Sequence, residues 1–325
     1  MVDAYLRNWL YHFLRTARNR ASVRYHIACL SLRALLTERR GLDHCITPGQ
    51  QPPMPFIVGQ GRSGTTLLRL MLDAHPDLAI PPETCFIPKA VRSCLWTKNP
   101  KKAFFNTLTS HPRWEYQSIE DLLYERIMAL RPFTVSEGLR CFYRLYAEQH
   151  NKPRWGDKTP FYWARMSLIS RAFPEARFIY LIRDGRAVSL SRRKAQFPSS
   201  AIEETARLWT WSIKEARQQS NGLKHYMEVR YEDLVLETEA TLRKICAFID
   251  LPWDPAMLNY HLTAKQRMAE KNKQPSTMTS IHALTSLQPQ PNRVGSWKTE
   301  MSNADRVCFE RIAGKTLREL GYELS

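Results

Sequence analysis

The apolar positions of the chain follow two spacings. Tyr5, Leu6, Trp9, Leu10, Phe13 and Leu14 recur at helical intervals, with Arg7 among them and Arg15, Arg18 and Arg20 following. This predicts an amphipathic arm over residues 1 to about 40. Pro48, Pro52, Pro53 and Pro55 end the arm in a linker. Phe56-Ile57-Val58 then leads into a Gly-rich turn, followed by Leu67, Leu68, Leu70, Met71 and Leu72, the pattern of strand, tight loop and helix. Residues 85–150 read as mostly helical. The run Arg177-Phe178-Ile179-Tyr180-Leu181-Ile182 reads as a buried parallel strand. Residues 186–220 return to helix, and His225 to Arg230 reads as a third strand. Leu242, Ile245, Cys246 and Ile249 mark a further amphipathic helix over 237–249. Residues 261–292 are aperiodic and read as a lid or acceptor loop. Ser302 caps a last helix ending near Leu320-Gly321. Strands alternating with helices predict an α/β fold whose central parallel sheet is flanked by helices. The arm and linker occupy 1–50, and a single domain occupies 51–325.

Composition narrows this picture. The 325 residues are 43% hydrophobic, enough for a substantial core and unlike a disordered chain. Lys and Arg number 48 against 31 Asp and Glu, a formal charge of +17. One nucleotide site uses only a few of these charges, so the excess implies either a further acidic partner or a generally basic surface. The arm accordingly has three readings: contact with an anionic membrane surface, docking on its own domain, or docking on a second subunit as a homodimer. The seven cysteines are odd in number and hold no CxxC pair; they read as free thiols, neither a zinc site nor a disulfide framework. Met1-Val2-Asp3-Ala4 opens no apolar leader. The longest early uncharged stretch, Tyr25 to Leu32, is too short to span a bilayer. The expected location is cytoplasmic, at most peripheral to the membrane.

The candidate chemistry starts at Gly59-Gln60-Gly61-Arg62-Ser63-Gly64-Thr65-Thr66. Glycines let the backbone approach an anion, and the helix starting near Gly64 aims free N–H groups at it. Ser63, Thr65 and Thr66 add hydroxyls and Arg62 a fixed charge. Gly59 and Gly64 have Walker spacing, but Thr65 stands where that motif has Lys. A Walker site also needs an acid holding Mg²⁺ at a later strand, where this chain has Arg183 followed by Asp184. The loop therefore suits a phosphate-like group transferred without obligatory metal. Arg183, at the carboxyl end of a parallel strand, and Ser191, on the next helix, form a second phosphate grip.

With these motifs the chain resembles the PAPS-dependent sulfotransferases (PAPS is 3′-phosphoadenosine 5′-phosphosulfate), and among them the tyrosylprotein sulfotransferases and their bacterial relatives. The matching stretches are Arg62 to Leu67, Met71 to Asp77, Glu83-Thr84, Ile87-Pro88, Arg183 to Ala187 with Ser191, and Tyr231 to Leu234. The resemblance implies the P-loop-like three-layer sulfotransferase fold, PAPS as donor, PAP as product and no required metal. It implies that Arg62, Ser63, Gly64, Thr65 and Thr66 hold the 5′-phosphosulfate and Arg183 and Ser191 the 3′-phosphate. Tyr231 would lie beside the nucleotide, Glu83 would be the catalytic base, and Lys158, with Arg62, would stabilise the transferring group. Arg293 to Lys298 resembles a C-terminal cofactor-contacting segment, bringing Trp297 and Lys298 to the cofactor; Trp297 either packs on adenine or fills core. Three features depart from the pattern, one of them the Ser-Thr-rich segment that closes over the cofactor, which aligns poorly and leaves Thr285 and Ser286 both open. Ala195 replaces a basic residue, leaving Arg192, Arg193 or Lys194 to substitute. Ser296 replaces a Lys, leaving Lys298 or Arg293.

The expected reaction is in-line sulfuryl transfer to an acceptor hydroxyl, on protein tyrosine or, alternatively, on a carbohydrate or lipid. A P-loop kinase and a polyanion-binding module are the rival classes; no specific nucleic acid is expected. His75, between Ala74 and Pro76, reads as a helix C-terminal cap.

Overall fold

A computed structural model describes residues 51–95, 97–195, 201–269 and 283–325. The arm predicted over 1–40 lies outside them. The described elements run β1 (Met54–Gly59), α1 (Thr65–Asp73), β2 (Leu78–Ala79), α2 (Ile87–Ser93), α3 (Pro100–Thr109), α4 (Glu120–Ala129), α5 (Val135–Gln149), β3 (Arg154–Trp155), β4 (Asp157–Lys158), α6 (Met166–Ala172), β5 (Ala176–Ile182), α7 (Gly185–Lys194), α8 (Ile202–Ser220), β6 (Tyr226–Arg230), α9 (Tyr231–Leu236), α10 (Thr238–Phe248), α11 (His261–Ala269), α12 (Trp297–Glu300) and α13 (Asn303–Glu319).

The main sheet has the order β4-β1-β5-β6 and is parallel throughout. Alternation along its strands feeds two cores. Phe56 and Val58 of β1, with Phe178, Tyr180 and Ile182 of β5, join the side covered mainly by α2 to α8 and α13. Ile57, Ile179 and Leu181 face the other side, under α1, α9, α10 and α11. This is the three-layer arrangement predicted from the apolar runs, because strands buried on both faces carry few polar positions. All three predicted strands lie in this sheet. The short edge strand β4 was not predicted, since two residues carry no periodic signal.

Helix ends follow local chemistry. The Ser302 side chain accepts from Asp305 N–H to start α13, and Gly321, at φ 74°, ends it. The cap of α1 expected at His75 is Ala74, whose N–H meets the last carbonyls of the helix, and the His75 side chain ties the following turn instead. Its Nε2 reaches the Pro252 carbonyl at 2.9 Å and its Nδ1 accepts from Asp77 N–H at 3.0 Å, with the ring buried. The aperiodic reading of 261–292 fails at its start, and its residues 270–282 lie outside the described ones. Residues 261–269 form α11, whose Ala264 is fully buried and whose Arg267 donates to buried Asp73 of α1 at 2.7 Å and to Tyr146 at 3.1 Å. A buried ion pair, invisible to hydrophobic periodicity, joins the Ala264 contact in fixing that helix.

Gly64 ties the loop after β1 to α9. It has φ 95°, and a Cβ there would stand 2.4 Å from Cδ2 of Tyr231. Gly64→Ala should therefore combine left-handed strain with overpacking and cost about 2 kcal/mol or more. A urea titration would register this as a lower midpoint; an unchanged midpoint would contradict the packing described.

Candidate active site

The site is built where parallel strands end. Gly59 closes β1 so near β5 that a Cβ would meet the Leu181 carbonyl oxygen at 2.6 Å. Arg62 follows in the left-handed region at φ 77°, costly for a side-chain-bearing residue. Its Nε donates to Ser191 Oγ at 3.1 Å, across from β1 to α7. Arg183, leaving β5, donates to the Arg62 carbonyl at 3.3 Å and lies over the Tyr231 ring, 4.2 Å from its centroid. Trp209 donates to the Arg183 carbonyl at 3.0 Å, and Glu232 accepts the next N–H, of Asp184, at 3.0 Å. Tyr322, near the chain end, donates to the other Glu232 oxygen at 2.9 Å.

Positive charge is concentrated here. Burial, then the fields of Arg183, Arg293 and Arg192, pull the Arg62 guanidinium pKa down to about 10. Such a cluster favours an anion that neutralises it. Ser63 and Thr65 are buried in the loop, and Ser63 Oγ has no hydrogen-bond partner among the described residues. Left-handed loop, orphan hydroxyl and converging guanidiniums together fit a phosphate or phosphosulfate group.

A second cluster adjoins the first. Glu83, on the loop from β2 to α2, accepts from Lys158 Nζ at 2.9 Å on Oε1 and from Arg113 Nη1 at 2.7 Å on Oε2. Lys158 is only 2% exposed and its Nζ stands 3.5 Å from Thr66 Oγ1, on the first turn of α1. Contacts therefore run from Glu83 through Lys158 and Thr66 to the loop, and on through Arg62 to Ser191, Arg183 and Tyr231.

Two candidates stand apart. Trp297 is 4% exposed, belongs to the core, and carries the Arg186 guanidinium 3.5 Å from its ring centroid. Of its two readings, the structure shows the packing one. Lys298 is exposed, with its Nζ 6.0 Å from that ring. Arg293, not Lys298, acts electrostatically on Arg62. Among the substitutes for Ala195, Arg193 pairs with Asp305 and Lys194 with Glu300, whereas Arg192 is 3% exposed and acts on Arg62. Asp184, where a Walker site would want a metal-binding acid, caps α7 and pairs with Arg186.

The sequence reading missed Arg113 and Asp157. Arg113 lies thirty residues from Glu83 (113 against 83) in no motif. Asp157 is fully buried, and its Oδ2 accepts from Thr84 Oγ1 at 2.7 Å and Tyr143 Oη at 2.8 Å. Its neighbours in Trp155-Gly156-Asp157-Lys158-Thr159-Pro160 were the only available pointer.

A parallel sheet flanked by helices, with a Gly-rich loop leading from β1 into α1, makes this an α/β protein of the P-loop-like kind. The chain belongs to the sulfotransferase family: residues 53–255 match the pattern of the "Sulfotransferase family". It is 32% identical over 219 residues to a protein-tyrosine sulfotransferase of Drosophila melanogaster, covering 65% of this chain and 40% of that protein. It is 33% identical over 216 residues to protein-tyrosine sulfotransferase A of Caenorhabditis elegans, covering 64% and 52%. The chain thus spans about half the length of these curated relatives or less. Its fold is similar to that of the sulfotransferase domain from the Synechococcus PCC 7002 olefin synthase, with TM-score 0.56, 21% identity and coverage of 86% and 98%. A sulfotransferase domain from the curacin biosynthetic pathway gives TM-score 0.54, 20% identity and coverage of 85% and 100%.

Burial is the main cause that raises Asp157 from 3.8 to about 6, against hydrogen bonds from Thr84, Tyr143 and Thr159 and the charge of Lys158. A folded pKa above the unfolded one means that the folded state holds the proton more tightly. The associated stability is present below about pH 4 and lost as pH rises through about 6. Asp157→Asn removes this slope. From pH 4 to 7 its stability should therefore rise relative to wild type by on the order of 3 kcal/mol, measurable by urea unfolding across that range. Parallel curves for the two proteins would refute the shift.

Proposed function

We propose that the protein is a PAPS-dependent sulfotransferase acting on a hydroxyl, with protein tyrosine the favoured acceptor. The observation that carries the reading is the Arg62–Ser191–Arg183 junction, which brings two anion grips to one strand edge beside the Glu83–Lys158 pair. A bisphosphorylated nucleotide has two charged ends, and this arrangement offers two receptors. Arg62, Ser63, Thr65, Thr66 and the N–H groups opening α1 hold the 5′ end; Arg183 and Ser191 hold the 3′-phosphate. PAPS supplies the activated sulfuryl group. Glu83 takes the proton of the attacking hydroxyl, a role worth about 10²–10⁴-fold. Lys158 and Arg62 stabilise charge growing on the leaving oxygen, where fixed cations act more strongly on the transition state than on the ground state. Tyrosine is favoured because the curated relatives carry that acceptor in their names; a carbohydrate or lipid hydroxyl is the alternative. A Mg·ATP reaction is disfavoured by Thr65 in the Walker Lys position and by the commitment of Asp184 to Arg186.

The direct test is labelled PAPS with the protein and either a tyrosine-bearing peptide or cell extract, followed by identification of the labelled product in the presence of a chelator. Label transfer to no acceptor would reject the activity. By calorimetry, Arg183→Ala should weaken PAP binding by about tenfold or more, the scale of one charge-assisted contact. Equal affinity would remove Arg183 from the 3′-phosphate site. Glu83→Gln should keep PAP affinity and lose about 10²-fold or more in kcat; full turnover would dismiss Glu83 as base.

A further inference from the structure

The loop that carries Glu83 and the strand that carries Lys158 meet at a buried carboxylate with no part in the proposed chemistry. Asp157 precedes Lys158 on β4, and the two pair with Phe56 and Ile57 of β1. Neighbouring strand residues point to opposite faces. Lys158 accordingly reaches Glu83 and Thr66, while Asp157 reaches Thr84 and Tyr143 on the other side. Thr84 is held by three residues of the segment 157–162. Its Oγ1 donates to Asp157 Oδ2 at 2.7 Å and lies 3.1 Å from Tyr162 Oη, and its N–H donates to Thr159 Oγ1 at 3.1 Å. Tyr162 Oη also accepts from Ile87 N–H at 3.1 Å, anchoring the start of α2. Asp157 and Thr84 are both 0% exposed.

From this geometry we propose that Asp157, acting through Thr84 and Tyr143, is a positioning residue that fixes the Glu83 carboxylate against Lys158 and the phosphate loop. The proposal rests on the reading of Glu83 as base. Glu83 and Lys158 are 75 residues apart (158 against 83) on different elements, so only tertiary contacts can set their distance. Buried carboxylates are poor stabilisers, and apolar residues of similar volume often replace buried charged groups without loss of stability. What a carboxylate adds is direction: its Oδ2 accepts two hydroxyls at once, one from the loop and one from α5, and β4 pairing holds the carboxylate itself. A displacement of about 1 Å at a reacting group costs about 10²-fold in rate, so this anchoring has a kinetic consequence.

The test uses near-isosteric changes and two readouts: PAP affinity by calorimetry, and kcat for conversion of labelled PAPS with water or a tyrosine-bearing peptide as acceptor. Thr84→Val removes the hydroxyl and keeps the volume. It should lower kcat by about tenfold or more and leave the PAP Kd within about twofold. Thr84→Ser retains the hydroxyl and should restore most of kcat. Tyr143→Phe, which deletes the second donor, should show the same split. Wild-type kcat in Thr84→Val, with Glu83→Gln inactive, overturns the positioning role alone. Parallel loss of kcat and PAP affinity in Thr84→Val and Tyr143→Phe makes the network purely structural and also overturns it. A fully active Glu83→Gln removes the base itself, and the proposal falls with that reading.

Discussion

Two guanidinium groups that repel one another are held together at the ends of adjacent parallel strands. Arg62 leaves β1 and Arg183 leaves β5, and the six-residue register between those strands fixes their separation. Ser191 receives Arg62, and Tyr231 lies beneath Arg183. Arg192 and Arg293 add to the same field, and Arg62 accordingly loses its proton more readily than an ordinary arginine. Left alone, the chain would separate these charges. Burial of β1 and β5 on both faces prevents it, so hydrophobic energy from the two cores sustains an electrostatic arrangement that is unfavourable by itself.

The same sheet supplies the second half of the site. β4 is two residues long, yet its pairing with β1 puts Lys158 beside the first turn of α1 and Asp157 against α5. Glu83 enters from a loop outside the sheet and is located by side-chain contacts on both flanks, Lys158 and Arg113. Arg62 and Arg183 are thus placed mainly by backbone pairing and loop conformation, while the Glu83 carboxylate depends on a network of side chains. The two halves differ in what holds them, and therefore in what perturbs them.

Strength of local pattern decided what could be read early. The runs at 56–58 and 177–182 are apolar because both faces of their strands are buried, and so they predicted a sheet. The loop from Gly59 to Thr66 was legible because its glycines and hydroxyls answer a local backbone requirement. Trp297 was ambiguous, since an indole serves an adenine and a core equally well; the Arg186 guanidinium over its face, set by Asp184 and Glu310, belongs to the packing use. The helix α11 was hidden for a different reason. Its docking includes the Arg267–Asp73 ion pair beside a small apolar contact at Ala264, and neither leaves a clear periodic trace.

The sequence alone determined the alternation of strands and helices, the Gly-rich loop between β1 and α1, the arginine that follows β5 and the family these resemble. Each of those is written in contiguous residues whose spacing answers to backbone geometry. Only the tertiary structure brought Arg192 and Arg293 into the field of Arg62, set Arg113 against Glu83, and gave Asp157 the Thr84 hydroxyl from the loop beside it. Those relations join residues tens of positions apart, and their distances are set by how helices pack on the sheet, which no local spacing encodes.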